Sequence, residues 1–270
     1  MNLASIRNCR SRCGAGVAIA WLAWVMPVAA APQSCHAVSG PRTTPLVELF
    51  TSEGCDSCPP ADRWLSARFP AGPADAAAIA LSFHVDYWDG PGWRDRFASA
   101  QFTRRQYDEM RANRATFVYT PQVLVQGHDA RDWKRGRVDE SLAVIAAHTA
   151  SASMALDLDT DAEGLRLAAS GHVHDARLHR HAVLWLAYTD SGHATDVAGG
   201  ENRGVHLVHD HVVRSLHGPY AMDADGSAKA NVTIAVPRES GTSPVIVAFV
   251  QDTGDGDVLQ ALALPSCSSH

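Results

Sequence analysis

The chain has 270 residues, 46% of them hydrophobic and 19% charged, with a formal net charge of −6. That composition fits a globular protein with a sizeable core and no low-complexity stretch. No basic stripe offsets the acidic balance, so nucleic acid is not an expected partner.

Arg7, Arg10 and Arg12 precede an apolar run over 15–31, interrupted by Gly16 and Pro27 and ending in Val28-Ala29-Ala30 before Ala31-Pro32. Basic, then apolar, then small residues is the order of a secretory signal peptide, here residues 1–30. Cleavage is expected after Ala30, because proline directly after the scissile bond is unfavourable. An uncleaved anchor is the competing reading, but the run is shorter than the ~20 residues of a spanning helix. Cys35 lacks the leucine-containing context of a lipoprotein site. The mature chain is therefore expected to be exported, to the periplasm or beyond, without a membrane span after cleavage.

Export governs the cysteines. Cys9 and Cys13 leave with the signal, and Cys35, Cys55, Cys58 and Cys267 stay in an oxidising compartment where an even number points to pairing. Cys55 and Cys58 can pair locally. Cys35 and Cys267, near the two ends, are then left for a terminal bridge, since domain termini often lie close together; two unpaired terminal thiols are the alternative.

Roughly 240 mature residues suggest two domains, and the pattern changes near Ala150. Residues 46–50 (Leu-Val-Glu-Leu-Phe) read as a strand, 59–69 as a helix and 78–85 as a second buried strand. Residues 99–113 read as a helix, 121–125 as a third strand and 139–150 as a closing helix. This alternation predicts an α/β domain over 31–150. Beyond it, strands are expected at 154–159, 165–173, 182–188, 205–208, 211–216, 230–236, 245–250 and 258–264. They predict an all-β sandwich over 151–270, with 182–188 and 245–250 central because nearly every position is apolar.

Between the first strand and first helix lies Cys55-Asp56-Ser57-Cys58. Two cysteines two residues apart close a small disulfide ring or offer two thiolates to a soft metal, and a helix start favours the thiolate. Strand–CxxC–helix is a redox candidate first and a metal candidate second. His84, at the end of the second strand, is the residue that would complete a copper(I) or zinc site with Cys55 and Cys58; modulating cysteine ionisation or simply ending the strand are its other readings. Tyr87, Trp88 and Trp93 lie in a long aromatic segment that either walls a peptide site or packs the following helix, whereas Phe97 and Phe102 read as packing.

His172/His174, His179/His181 and His209/His211 are spaced to share strand faces, a pattern more common on solvated surfaces than at metals. Asp223-Ala224-Asp225-Gly226 and residues 252–257 fail the EF-hand spacing and read as turns. Glu201-Asn202-Arg203-Gly204 reads as a structural turn with a buried Asn or Arg network, the alternative being a charged loop that meets the first domain or a partner. No phosphate loop, Ser-His-acid arrangement or carboxylate pair stands out, and no cofactor is expected.

The run Val47-Glu48-Leu49-Phe50-Thr51-Ser52-Glu53-Gly54-Cys55-Asp56-Ser57-Cys58-Pro59-Pro60-Ala61-Asp62 resembles the signature of an uncharacterised secreted thioredoxin-like family, known as a domain of unknown function. Phe83-His84-Val85-Asp86-Tyr87-Trp88-Asp89, Gly92-Trp93, Tyr119-Thr120-Pro121-Gln122 and Gly200-Glu201-Asn202-Arg203-Gly204 resemble its further motifs. The resemblance implies export and a thioredoxin-like N-terminal domain followed here by the β-sandwich. It implies no established reaction. Thioredoxin-like folds set a cis-proline opposite the CxxC, its preceding residue pairing with bound peptide; Thr120-Pro121 resembles that element. Gly54 stands where thioredoxins carry tryptophan, and Leu49 where they carry a buried acid. Pro59 fits as the first helical residue with Cys58 as N-cap, which leaves the nucleophile open; Cys55 is favoured as the outer, more exposed sulfur.

The leading expectation is an exported thiol–disulfide oxidoreductase acting on a protein thiol or disulfide or a small thiol. Cys55 attacks, Cys58 resolves and Pro121 shapes a groove lined by Thr120, Tyr87, Trp88 and Trp93. The alternatives are a metal-binding or metallochaperone role for Cys55, Cys58 and His84, and a partner-binding module with a structural CxxC disulfide.

Overall fold

The computed structural model describes residues 33–70, 78–161, 164–237, 239 and 241–265. The expected signal segment, its cleavage site and the Cys35–Cys267 bridge fall at least partly outside the described residues. In chain order the elements are β1 (Gln33–Val38), β2 (Leu46–Thr51), α1 (Pro59–Arg68), β3 (Ile79–His84), α2 (Ala100–Ala112), β4 (Gln122–Val125), β5 (His128–Asp129) and α3 (Arg137–Ala147). There follow β6 (Ala152–Asp161), β7 (Gly164–Val173), β8 (Ala182–Ser191), β9 (His193–Asp196), β10 (His206–His209), β11 (Val212–Ala221), β12 (Ser227–Ile234), β13 (Thr242–Asp252) and β14 (Val258–Pro265). The protein is β-rich, with few helices and several sheets.

Every residue of β2 is buried, because helices cover both of its faces. Val47 and Leu49 pack with Leu65 of α1 and Leu142 of α3, while Leu46 and Phe50 pack with Phe83 and with Phe102 of α2. β2 runs parallel to β3 and antiparallel to β4, and α1 supplies the crossover that a parallel pair needs. Glu48 shares the α2 face, where Arg105 meets it at 2.6 Å and lies over the rings of Phe83, Trp185 and Phe249. Burial raises the neighbouring Glu109 carboxyl above its ordinary value, against the pull of Arg105.

Sheet order is β14-β13-β8-β11-β3-β2-β4-β5 for the eight-stranded sheet and β1-β6-β7-β12 for a four-stranded one. The two face each other across Leu156, Leu158, Leu167, Leu184, Leu186, Ala248 and Val250. β8 and β13 are each flanked by two strands, as their continuous apolar runs predict. The expected cut at residue 150 is not a break in packing. β11 pairs with β3 at Val212 and Ser82, so the larger sheet takes strands from both sides of it, and the described residues cluster as one compact unit. Hydrogen-bonded strand pairing, at Val212 with Ser82 and along β1 with β6, joins the two halves. No helix among the described residues is long and apolar enough to cross a membrane.

β9 and β10 form a separate two-stranded hairpin, and β10 lies against α1. This hairpin brings the far half of the chain to the CxxC loop.

Candidate functional site

Cys55 and Cys58 form a disulfide with their Cα atoms 5.4 Å apart. Cys58 is the N-cap of α1 and Pro59 its first residue, as the sequence predicts. Pro59 and Pro60 carry no N–H, so the first two helical residues offer neither sulfur a donor. The expectation that Cys55 is the more exposed sulfur is corrected: both cysteines are 0% exposed, and Asp56 and Ser57 between them carry the loop's surface. The asymmetry is one of hydrogen bonding. Thr120 Oγ1 donates to Cys55 Sγ at 3.3 Å, and Ser57 Oγ lies 3.4 Å from the same sulfur.

The Thr120-Pro121 peptide is cis, and this segment directly precedes β4. Trp88 Nε1 donates to Thr120 Oγ1 at 2.8 Å. A Cβ on Gly54 would meet the Trp88 Cβ and carbonyl oxygen at 3.1 Å, which accounts for glycine before Cys55. Tyr87 is 41% exposed; its hydroxyl donates to Gln106, whose amide in turn donates to the Tyr119 carbonyl and to Gln122. Trp93 stands apart from this group, its Nε1 donating to Glu53 Oε2 at 3.0 Å. Phe97 and Phe102 pack inward as expected, Phe97 against His84, His193 and His209.

Beside the disulfide loop is a buried polar cluster that sequence reasoning did not assemble. His84 Nδ1 lies 2.7 Å from Asp95 Oδ2, with both side chains fully buried. Asp95 also accepts the backbone N–H groups of Glu53 and Phe97, each at 2.9 Å. Burial alone would raise the Asp95 carboxyl, but the His84 charge and these donors bring it down to about 2. Burial would likewise lower His84, and the surrounding Asp95, Asp62 and Glu53 raise it above the ordinary histidine range instead. Asp62, buried one turn beyond Cys58, moves the other way: burial raises its carboxyl more than His209 and His84 lower it. The His209 and His84 rings are 4.8 Å apart, and His209 Nε2 approaches Glu53 Oε1 to 3.4 Å without hydrogen-bond geometry.

The Gly200–Gly204 motif closes the site from the β9–β10 hairpin. Asn202 is buried, and its Nδ2 donates to the carbonyls of Glu53 at 2.9 Å and Cys55 at 2.8 Å. Asp56 N donates to Glu201 Oε2 at 3.3 Å. Of the two side chains expected to be buried in this turn, Asn202 is buried and Arg203 is exposed, and the partners of Asn202 belong to the CxxC loop. Spacing within the motif carries no sign of partners 147 and 149 positions away.

Among the described residues no group of three or more His, Cys, Asp or Glu side chains is arranged to hold a metal ion. The two cysteines engage each other and His84 engages Asp95, so the Cys55-Cys58-His84 set is not assembled. His209 and His211 do not share a strand face. His209 ends β10 among the buried acids, while His211 has φ 56° and turns its Nε2 to the Phe69 carbonyl at 2.5 Å. The aspartate runs are turns: Asp223 Oδ1 accepts the N–H groups of Asp225 and Ser227, and Asp252 Oδ1 that of Gly254.

A model of the family described as "Protein of unknown function (DUF1223)" matches residues 46–251. No curated protein matches the chain. Among solved structures, the crystal structure of protein AGR_C_4864 from Agrobacterium tumefaciens is similar with a TM-score of 0.62 and 22% identity, over 86% of this chain and 98% of that one. HBP35 of Porphyromonas gingivalis is similar with a TM-score of 0.57 and 13% identity, over 85% of this chain and 79% of that one. At such identities the likeness is one of fold.

Proposed function

The chain belongs to the family described as protein of unknown function (DUF1223), and because that description carries no reaction, we propose from the chemistry of the site that it is an exported thiol–disulfide oxidoreductase. The observation that carries this reading is the Thr120 hydroxyl donating to Cys55 Sγ from the residue before cis-Pro121. A hydroxyl aimed at one sulfur of the pair stabilises charge there, which favours that sulfur as the thiolate. The unit β2-α1-β3 with β4 and β5 beside β2, α1 and α3 on one face and α2 on the other, supports a thioredoxin-like reading of the part of residues 31–150 that follows β1, which itself pairs with β6. Export rests on the N-terminal sequence.

In the oxidising direction a partner thiolate attacks Cys55 Sγ, the Cys55–Cys58 bond breaks, and Cys58 leaves as a thiolate that takes up a proton. A second partner thiol then displaces Cys55, giving one partner disulfide and the protein dithiol. Two electrons pass from the two partner thiols to the CxxC pair. Thr120 contacts the attacked sulfur and Trp88 contacts Thr120; with both cysteines buried, a partner gains access as the loop around them moves.

That same burial favours a second reading, a partner-binding module in which the disulfide is structural. The test is to equilibrate residues 31–270 with graded glutathione and dithiothreitol buffers, quench with acid, and alkylate. Exchange predicts a reversible two-electron transition at Cys55 and Cys58, read by mapping the alkylated peptides, with no loss of fold. A bridge that stays closed in native protein under dithiothreitol leaves the binding module.

A further inference from the structure

We propose that Asn202, carried by the β9–β10 hairpin, is a positioning residue that holds Cys55 in reach of Cys58 and thereby sets the thiol–disulfide equilibrium of the pair. The inference rests on the exchange reading and assigns the far half of the chain a part in it.

Three backbone groups of the short segment Glu53–Asp56 are held by two consecutive side chains from that hairpin. Asn202 Nδ2 spends both its hydrogens on the carbonyls of Glu53 and Cys55, and Glu201 Oε2 accepts the Asp56 N–H. Within the loop itself, Cys55 N donates to Ser52 O and Cys58 N to Cys55 O, each at 3.2 Å. The loop's own bonds thus leave the Glu53 carbonyl to Asn202, and a buried carbonyl without a donor is costly.

Asn202 is itself fixed. Its carbonyl accepts Val205 N at 2.9 Å, Gly204 N donates to Val197 O at 2.7 Å, and β9 and β10 pair from His206 and Asp196 to His209 and His193. His209, at the end of that ladder, lies against Glu53. On the other side Gly200 packs on the Trp93 Cβ, 3.2 Å from where its own Cβ would stand, and Trp93 also donates to Glu53. The clamp is therefore a rigid element gripping the residues on both sides of Gly54.

Closing a CxxC ring costs the conformational freedom of its loop. A Cys55 already fixed by the hairpin has lost that freedom in the dithiol too, so its effective concentration at Cys58 rises and the disulfide is favoured. Removing the clamp releases the loop in the dithiol and moves the equilibrium toward it. The reaction that reads this out is Cys55–Cys58 disulfide plus two glutathione thiols giving two cysteine thiols and one glutathione disulfide; electrons and protons balance.

The experiment measures that equilibrium constant on residues 31–270 for the wild type, Asn202→Asp, Asn202→Ala and Arg203→Ala. Asn202→Asp keeps the shape and removes both donors; Arg203 is exposed in the same turn and is the control. The expected result is a shift of about tenfold toward the dithiol in both Asn202 variants, about 30 mV for a two-electron couple, with Arg203→Ala unchanged. A constant equal to wild type in the Asn202 variants overturns the positioning role while leaving exchange intact, whatever happens to their melting temperatures. If neither Asn202 variant folds, Glu201→Ala, which removes the acceptor of the Asp56 N–H, decides: a shift of two- to threefold in the same direction supports the clamp and no shift overturns it. A wild-type disulfide that does not open under dithiothreitol overturns the exchange reading and this inference together.

Discussion

Asp95 and Asp62 lie in one buried cluster, yet their carboxyls move in opposite directions, and stability should follow each with its own sign. Asp95 falls from 3.8 to about 2 in the folded protein. A lowered carboxyl contributes stability that is present above pH ~4 and lost as pH falls toward ~2. That difference corresponds to about 2 kcal/mol, so Asp95→Asn should cost at least about that much at pH 7 and much less near pH 2, measured by urea denaturation at the two pH values. Asp62 is raised by burial, so its ionised form is the disfavoured one in the folded state. Its contribution is present below its unfolded value near pH 4 and is lost as pH rises; Asp62→Asn should be at least as stable as wild type at pH 7. At this scale the sequence was half legible. The cysteine pair, its N-cap position and Thr120-Pro121 are local patterns that sequence spacing exposes. Glu53, Asp95, His209 and Asn202 meet only because β3, the segment after it and the β9–β10 hairpin converge, and no local pattern encodes that convergence.

The hairpin docks through glycine as well as through Asn202. A Cβ on Gly199 would stand 1.8 Å from the Gly92 carbonyl oxygen, a backbone atom that cannot swing aside as a side chain can. Gly199→Ala should therefore displace the hairpin from the Gly92-Trp93 turn and destabilise the fold by about 1–3 kcal/mol. Thermal or urea denaturation checks it, and an unchanged midpoint would mean that the turn yields at little cost. Elements with strong periodicity were read closely from sequence: expected 46–50, 59–69 and 99–113 became Leu46–Thr51, Pro59–Arg68 and Ala100–Ala112. The helix expected at 139–150 instead spans Arg137–Ala147, starting from Gly136 at φ 75°. β1, β5 and β9 lie outside the expected strands; His193-Ala194-Thr195-Asp196 has the composition of a turn and is a strand only because β10 pairs with it. β11 runs on to Ala221 through a register shift around cis-Pro219, where proline in the sequence argues for a strand end.

Across the whole molecule, the change in pattern at residue 150 marks a change in local structure but not in packing, because periodicity reports which face of a strand is buried and not which strand lies beside it. The shared eight-stranded sheet makes the second half the carrier of Asn202, Glu201 and His209. Cys35 sits on β1 opposite Leu158 of β6. A bridge from it to Cys267 would close nearly the whole chain, and chain entropy puts its stabilisation on the order of 5 kcal/mol. Non-reducing peptide mapping of protein expressed with its N-terminal segment should recover the two terminal peptides linked, with Ala31 as the first residue; both thiols alkylating in intact protein would contradict the bridge.

The central claim, that Cys55–Cys58 exchanges with partner thiols, is tested most directly by comparing Cys58→Ser and Cys55→Ser expressed with their signal segment, on non-reducing gels with mass spectrometry of the adducts. Without Cys58 the mixed disulfide on Cys55 has no resolving thiol, so Cys58→Ser should accumulate reducible adducts linked through Cys55, at least tenfold more than Cys55→Ser. Absence of adducts from both variants, with each folded and exported, would contradict the exchange account.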